Sequence, residues 1–290
     1  MKILLTGIHG QVGFELLRSL EPLGELIPAD RTMLDLTRPD QIRDCVRAVR
    51  PDLIVNPAAY TAVDRAEQEA DLCHAINATA VGVLGEEAER LGAGVVHYST
   101  DYVFDGSGTQ PWQEDAPTGP LNVYGASKLA GERLLAATCS QHLILRTSWV
   151  YGMRGSNFLL TMLRLSQERP SLRIVADQFG APTWCRHIAD TTAALIALHV
   201  TRQEGRTRQR CNSGVLHLCN GGATSWAGFA REIFRVAGRD TLVEDIPASA
   251  YPTPARRPAN SRLDCTQLEQ LLGVPMEPWQ LSLERCLKGQ

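Results

Sequence analysis

The sequence predicts an α/β fold, a parallel sheet with helices on both faces and a smaller C-terminal domain. Three observations point there. Short apolar runs at 2–6, 53–56 and 142–147 alternate with longer stretches of helical periodicity. That rhythm is the mark of a parallel sheet with crossover helices. The first apolar run ends in a glycine-rich turn. Polar residues gather where later runs end, and doubly wound sheets hold ligands outside the carboxyl ends of their strands.

Residues 2–6 (KILLT) read as a buried strand. Gly7, Gly10 and Gly13 follow, and Phe14, Leu16, Leu17 and Leu20 then repeat at helical spacing. Strand, glycine turn and helix together are the context a dinucleotide fingerprint requires. Glycines permit close backbone approach to a pyrophosphate, and the helix N-terminus supplies amide donors. The spacing is Gly-x-x-Gly-x-x-Gly rather than Gly-x-Gly-x-x-Gly. The first half therefore reads as Rossmann-like.

Residues 25–30 (ELIPAD) read as the second strand and end in Asp30. An acid there grips a ribose 2′-hydroxyl, whereas Arg31 suits a 2′-phosphate. NADH and NADPH both stay open. Asp35 and Leu36 follow at a place that borders an adenine, although Asp35 reads equally well as a turn residue. Residues 40–49 fit a helix and 53–56 (LIVN) a third strand. Small residues after it, Ala58 and Ala59, let a cofactor lie against backbone. Residues 69–91 form a long helical stretch, and 94–97 (GVVH) a fourth strand leading into Tyr98-Ser99-Thr100-Asp101-Tyr102. Residues 105–120 are rich in turn formers and read as a loop at the rim of the site.

Tyr124 and Lys128 come next, four residues apart among good helix formers. On a helix that spacing puts both side chains on one face. A phenol ionises near pH ~10, and a cation beside it favours the phenolate. Such a tyrosine can exchange a proton near neutrality. Tyr-x-x-x-Lys alone is a weak motif, since an exposed helical pair looks the same. Residues 142–147 (HLILRT) are the fifth strand, and Trp149 stands just past it.

In the second half, helices are expected at 157–168, 187–199 and 225–237, and strands at 172–176 and 215–219. Residues 177–183 read as a turn-rich loop. Residues 201–214 are polar and basic but carry no interleaved aromatics, so they read as a solvated loop rather than a nucleic-acid contact. The proline-rich run 247–258 reads as stiff and ordered, and it carries Arg256 and Arg257.

The bulk numbers exclude several classes. With 290 residues, 44% of them hydrophobic, the chain can bury a large core without staples. A net charge of −3 gives no overall field for nucleic acid or an acidic membrane. The eight cysteines are scattered with no Cys-x-x-Cys pair, so no structural metal site is expected and the thiols read as reduced. No apolar run reaches the ~20 residues of a membrane span. A cytoplasmic protein is expected.

The motifs combined resemble the extended short-chain dehydrogenase/reductases: TGxxGxxG, an acid after the second strand, Ser-Thr at the end of the fourth, and YxxxK. Longer segments resemble one branch, the dTDP-4-dehydrorhamnose reductases. They are NPAAYTAVDRAE (56–67), HYSTDYVFDG (97–106), PLNVYGASKLAGE (120–132), LRTSWVYG (145–152), DQFGAPT (177–183) and YPTPARRPANSRLD (251–264). The resemblance runs nearly end to end.

It implies NAD(P)H-dependent reduction of the 4-keto group of a dTDP-4-dehydro-6-deoxyhexose. Tyr124 would protonate the substrate. Lys128 would hold the nicotinamide ribose and lower the tyrosine's pKa, and Thr100 would bind the carbonyl. Asp101 and Trp149 would contact sugar, and Arg257 the diphosphate. Gly10, Gln11, Val12, Asp30, Asp35, Leu36, Ala59, Tyr60, Thr61 and Tyr98 fall at cofactor positions. An NAD(P)-binding domain over 1–150 and a substrate domain mainly over 151–290 are implied, with chain segments crossing between them. A homodimer and a Mg2+ ion are open expectations.

Two alternatives stand beside this. One is another sugar-nucleotide enzyme, an epimerase, reductase or dehydratase. Dehydratases often carry Asp-Glu after the threonine, and here Thr100-Asp101-Tyr102 has no Glu. The other is a non-catalytic regulatory subunit that binds cofactor on the same fold.

Overall fold

The computed structural model describes residues 1–204 and 214–289. From the N-terminus, β1 (Lys2–Leu5), α1 (Gln11–Leu20), β2 (Glu25–Pro28), α2 (Pro39–Val49) and β3 (Leu53–Asn56) alternate. Two short helices follow, α3 (Val63–Ala66) and α4 (Ala70–His74). A π-turn over Ala75–Thr79 joins α4 to α5 (Ala80–Leu91). Then come β4 (Gly94–Thr100), α6 (Val123–Thr138) and β5 (His142–Thr147).

The second half begins with β6 (Val150–Tyr151), α7 (Phe158–Glu168), β7 (Ser171–Val175), β8 (Phe179–Gly180) and β9 (Thr183–Trp184). After α8 (Cys185–Glu204) come β10 (Gly214–His217), β11 (Thr224–Ser225), α9 (Trp226–Val236) and β12 (Leu242–Ile246). The chain closes with β13 (Asn260–Ser261), α10 (Thr266–Leu272) and α11 (Trp279–Lys288).

The main sheet is parallel throughout, in the order β2–β1–β3–β4–β5–β10. The order reverses between β1 and β3, and a crevice opens at such a switch point. One face of the sheet packs on α2, α5 and α6 through Ile42, Val46, Leu84 and Leu135. The other packs on α1 and α8 through Leu16, Leu20, Ile188 and Leu195. Covering both faces explains why Ile3, Leu4 and Leu5 are all fully buried rather than alternating.

A separate apolar cluster joins α7, α9 and α11 through Leu159, Met162, Phe229, Ile233, Trp279 and Leu283. The second half does not stay there. β10 pairs with β5 in the main sheet, and α8 and α10 contribute Ile188 and Leu268 to the core beside it.

Several bounds differ from the sequence expectation. β4 runs on through Thr100 because its polar end is itself buried and paired with β5. α8 starts at Cys185 and reaches Glu204, so residues 201–204 of the loop expected over 201–214 are helical, and Gly214 begins β10. Residues 205–213 of that expectation lie outside the described residues. The stretch 69–91 is helical from Ala70 through Leu91, with a π-turn over Ala75–Thr79 inside it. Among the described residues, no helix is long and apolar enough to cross a membrane.

Candidate active site

The glycine turn closes tightly on α1. Gly10 N donates to the Gly7 carbonyl at 2.9 Å. Gly7 takes φ +59°, and a Cβ there would stand 2.8 Å from Ala58 N. A Cβ on Gly13 would stand 2.1 Å from the Gly7 carbonyl oxygen. α1 has Gly10 at its N-cap with no side-chain cap, so its first amides are left for a ligand. Gln11 lies behind the turn, where its Oε1 accepts from Asn157 Nδ2 at 2.8 Å. Val12 packs toward the α7–α9 cluster.

At the end of β2, Asp30 Oδ1 accepts from the Thr32 amide (2.9 Å), the Thr32 hydroxyl (2.6 Å) and the Met33 amide (3.1 Å). The Thr32 hydroxyl and these amides hold the carboxyl below its usual range. The Arg31 side chain is 79% exposed and lies 3.4 Å from Asp35. Asp35 mainly caps a turn, accepting from the Thr37 amide and hydroxyl. Leu36 packs its side chain into the core, so only its backbone is offered to the crevice.

After β3, Asn77 of the π-turn pins Tyr60. Its Oδ1 accepts from Tyr60 N at 2.8 Å and its Nδ2 donates to Tyr60 O at 3.0 Å. The same Nδ2 donates to Ser127 Oγ on α6 at 3.0 Å. Ala58 and Ala59 are half-buried and Thr61 exposed beside them. The Tyr98 ring points away from the crevice, and its hydroxyl donates to Thr192 Oγ1 of α8 at 2.8 Å. What Tyr98 brings to the site is its carbonyl.

That carbonyl accepts from Lys128 Nζ at 2.6 Å, and His97 Nε2 lies 3.1 Å from the same nitrogen. Lys128 is 2% exposed. Burial pulls its amine down to about 8, against the charge of Glu132. Glu132, one turn further along α6, makes a bidentate pair with Arg146 of β5 at 2.9 and 2.7 Å.

The sequence placed the lysine's cation against the tyrosine. The structure differs, because among the described residues Lys128 Nζ bonds to His97 and Tyr98 rather than Tyr124. Burial pushes the Tyr124 phenol above its ordinary value, and the neighbouring Thr100 hydroxyl pulls the other way. The free protein therefore keeps Tyr124 protonated at neutral pH. Its ring packs edge-on against Tyr102, centroids 5.6 Å apart.

Thr100 ends β4 and donates to Asp101 Oδ1 at 3.0 Å. Asp101 is 2% exposed, and its Oδ2 lacks a hydrogen-bond partner among the described residues. Burial pushes its carboxyl up to about 6, against the Ser261 and Thr100 hydroxyls. Asp101 and Thr100 are hydrogen-bonded, and Tyr124 stands beside Thr100, so the three make one polar edge at the C-terminal end of the sheet.

Trp149 has φ +47°, unusual for a bulky residue. Its ring stacks on Trp226 at a centroid distance of 3.6 Å and 9°. Gly180 crosses so close that a Cβ there would meet Trp149 Cε2 at 2.7 Å. Trp226 therefore covers one ring face, and Gly180 lies against the ring at Cε2. Arg257 is also engaged, through a bidentate pair with Asp64 of α3 at 3.0 and 2.7 Å. The run that carries it is tied to α6, since the N-cap Asn122 donates to Arg256 O at 2.7 Å.

Sequence reasoning missed His97, Asn77, Asp64, Glu132 and Trp226. His97 carried one readable signal, a histidine at the end of an otherwise apolar strand. Among the described residues no group of three or more His, Cys, Asp or Glu is placed to hold a metal ion. The open expectation of Mg2+ gains no residues from this.

The family model of the RmlD substrate binding domain matches residues 1–290. The chain is 48% identical to a dTDP-4-dehydrorhamnose reductase of Burkholderia thailandensis, over 99% of this chain and 98% of that protein. A crystal structure of a dTDP-4-dehydrorhamnose reductase from Clostridium acetobutylicum aligns with TM-score 0.90 at 36% identity, covering 99% of both chains. That of the Bacillus anthracis dTDP-4-dehydrorhamnose reductase in complex with NADP aligns with TM-score 0.87 at 34% identity, covering 100% of this chain and 99% of that one. Matched end to end in sequence and fold, the chain belongs to the RmlD substrate binding domain family, the family of the dTDP-4-dehydrorhamnose reductases.

Proposed function

We propose that this protein reduces the 4-keto group of dTDP-4-dehydro-6-deoxy-L-mannose to give dTDP-L-rhamnose, using NADPH or NADH. The observation that carries this reading is the polar edge Asp101–Thr100–Tyr124, on the same C-terminal end of the sheet as the Gly7–Gly13 turn and backed by a buried lysine. End-to-end similarity to dTDP-4-dehydrorhamnose reductases supports it.

The residues present fit a dinucleotide. Gly7 and Gly13 leave a cradle that a Cβ would fill, and the uncapped start of α1 offers amides to a pyrophosphate. Gly10, Gln11 and Val12 would line that turn, and Ala58, Ala59, Tyr60 and Thr61 the opposite wall. Asp30 or Arg31 would meet the adenosine ribose, with Asp35 and Leu36 beyond them. When bound, a reduced nicotinamide supplies the hydride.

The chain supplies everything else. Reduction puts negative charge on the ketone oxygen, and preorganised donors aimed at that oxygen stabilise it. Thr100 and Tyr124 hydroxyls are such donors. Tyr124 begins protonated and gives its proton to the developing alkoxide. Lys128 stabilises the phenolate left behind and holds the ribose. Asp101, with its free buried Oδ2, accepts from a sugar hydroxyl. Trp149 presents the ring edge that Trp226 and Gly180 leave open to the deoxyhexose. Arg257, aligned by Asp64, meets the diphosphate.

The test is direct. Incubation of the protein with the 4-keto sugar nucleotide and each reduced coenzyme should consume coenzyme and yield dTDP-L-rhamnose, identified by NMR. Coenzyme binding without consumption would point to a regulatory subunit. Epimerised or dehydrated product without net oxidation would point to another branch of the superfamily.

A further inference from the structure

A buried polar chain lies behind Lys128, and among the described residues none of its other members touches the polar edge at Thr100. Lys128 Nζ lies 3.1 Å from His97 Nε2. His97 Nδ1 lies 3.1 Å from Asn56 Nδ2, and Asn56 Oδ1 accepts from Thr6 Oγ1 at 2.6 Å. Exposure is 2% for Thr6, 0% for Asn56, 0% for His97 and 2% for Lys128. The chain runs from the residue before the glycine turn, through β3 and β4, to α6.

Counting donors and acceptors leaves two arrangements. A neutral imidazole has one N–H and one acceptor nitrogen, and an ammonium only donates. If Asn56 Nδ2 donates to His97 Nδ1, then Nε2 carries the proton and donates to Lys128, which must be a neutral amine. If Lys128 is an ammonium, it donates to Nε2. His97 Nδ1 then donates to the Asn56 carbonyl oxygen, with the amide turned over, and Asn56 Nδ2 donates to Thr6 Oγ1. An ammonium therefore requires the second arrangement, whereas a neutral amine, which can donate as well as accept, fits either. His97 stays neutral in both, since its burial and the lysine's charge each disfavour a proton on the ring.

We propose that His97 is a positioning residue for the reduction, holding Lys128 in place and keeping it charged by accepting its proton-bearing face inside the protein. This rests on the reading of Lys128 as the lysine that holds ribose and stabilises the phenolate. Among the described residues, three other groups face that amine. Glu132 comes from α6 itself, Cys73 from α4, and the Tyr98 carbonyl from β4. Glu132 is shared with Arg146 and Cys73 is a thiol raised by burial. Without His97, one carbonyl would remain as the direct acceptor among the described residues.

Hydrogen bonding to the charged form of a buried amine favours that form. Replacing the ring with an alkyl group should therefore move the Lys128 titration down by about one pH unit or more. The experiment is 13Cε NMR titration of lysine-labelled protein, with the Lys128 signal assigned by its absence from Lys128→Met. His97→Leu should lower the midpoint, and His97→Gln, whose amide oxygen can accept from Lys128, should return it most of the way. The alkaline limb of reductase activity should shift by the same amount.

An unchanged midpoint in His97→Leu would overturn the proposal, even if turnover or melting temperature fell, because a merely structural histidine predicts that pattern. Should His97→Leu show no cooperative melting, His97→Asn takes its place with the same expectation. Its shorter amide reaches Asn56 but not Lys128. The titration needs no substrate, so failure of the proposed reduction would appear separately as wild-type protein that consumes no coenzyme.

Discussion

The Gly7 carbonyl oxygen occupies the space next to Gly13 so closely that a Cβ there would stand 2.1 Å away. The turn and the start of α1 are locked in one geometry by that approach. Gly13→Ala should push the turn off α1 and weaken coenzyme binding at least ~10-fold, since the amide donors of P-loop-like turns act only when aligned. Fluorescence titration with each reduced coenzyme reads this. Wild-type affinity in the variant would mean the turn does not hold the pyrophosphate.

Asp101 carries a pH signature. Its ordinary value is 3.8 and burial raises it to about 6 in the folded protein. The folded state thus holds the proton longer than the unfolded chain. Stability falls as pH rises from about 4 to about 6, and the penalty stays in full above that. Asp101→Asn escapes it and should be more stable at pH 7.5 by about 3 kcal/mol. The difference should vanish near pH 3.5. Thermal melts at the two pH values check the sign. Activity should fall in the same variant, because the sugar hydroxyl loses its carboxylate.

Glu132 and Arg146 form a buried pair, each side chain 5% exposed. Removing one partner of such a pair strands the other, at about 3–5 kcal/mol. Glu132→Gln should therefore melt well below wild type. It should also lower the Lys128 titration, since Glu132 is a charge that favours the ammonium. A stable variant with an unmoved lysine would show that the pair is solvated in solution.

Arg257 and Asp64 are a partly exposed pair, with side chains 25% and 40% accessible. Their bond adds little to stability, but it aims the guanidinium. Arg257→Ala should raise KM for the nucleotide sugar about 10-fold with kcat nearly unchanged. Asp64→Ala should do the same more weakly, and the double variant should fall short of the sum. Additive effects would separate Asp64 from the role of Arg257.

The main sheet was legible because its signals are local. A run such as KILL followed by Gly7 announces a buried strand and a turn within a dozen residues. The bounds of β5 and β3 match the apolar runs that suggested them. Long-range pairings leave no such trace. Lys128 and His97 are separated by 31 positions, Asp64 and Arg257 by 193. Nothing near either residue names its partner. The covered face of Trp149 was hidden for the same reason, because Trp226 reaches it from a helix of the second half. The π-turn carrying Asn77 has the composition of ordinary helix, and what distinguishes it is the Tyr60 backbone docked against it.

The most direct measurement compares coenzyme oxidation by wild type and Tyr124→Phe, with the 4-keto sugar nucleotide as substrate and coenzyme affinity measured alongside. Wild type should consume coenzyme, and the variant should lose about 10²–10⁴-fold in kcat, the range for removing a general acid, while binding coenzyme as before. A variant that turns over at nearly the wild-type rate, or a wild type that oxidises neither coenzyme, would contradict Tyr124 as the proton donor of a ketone reduction.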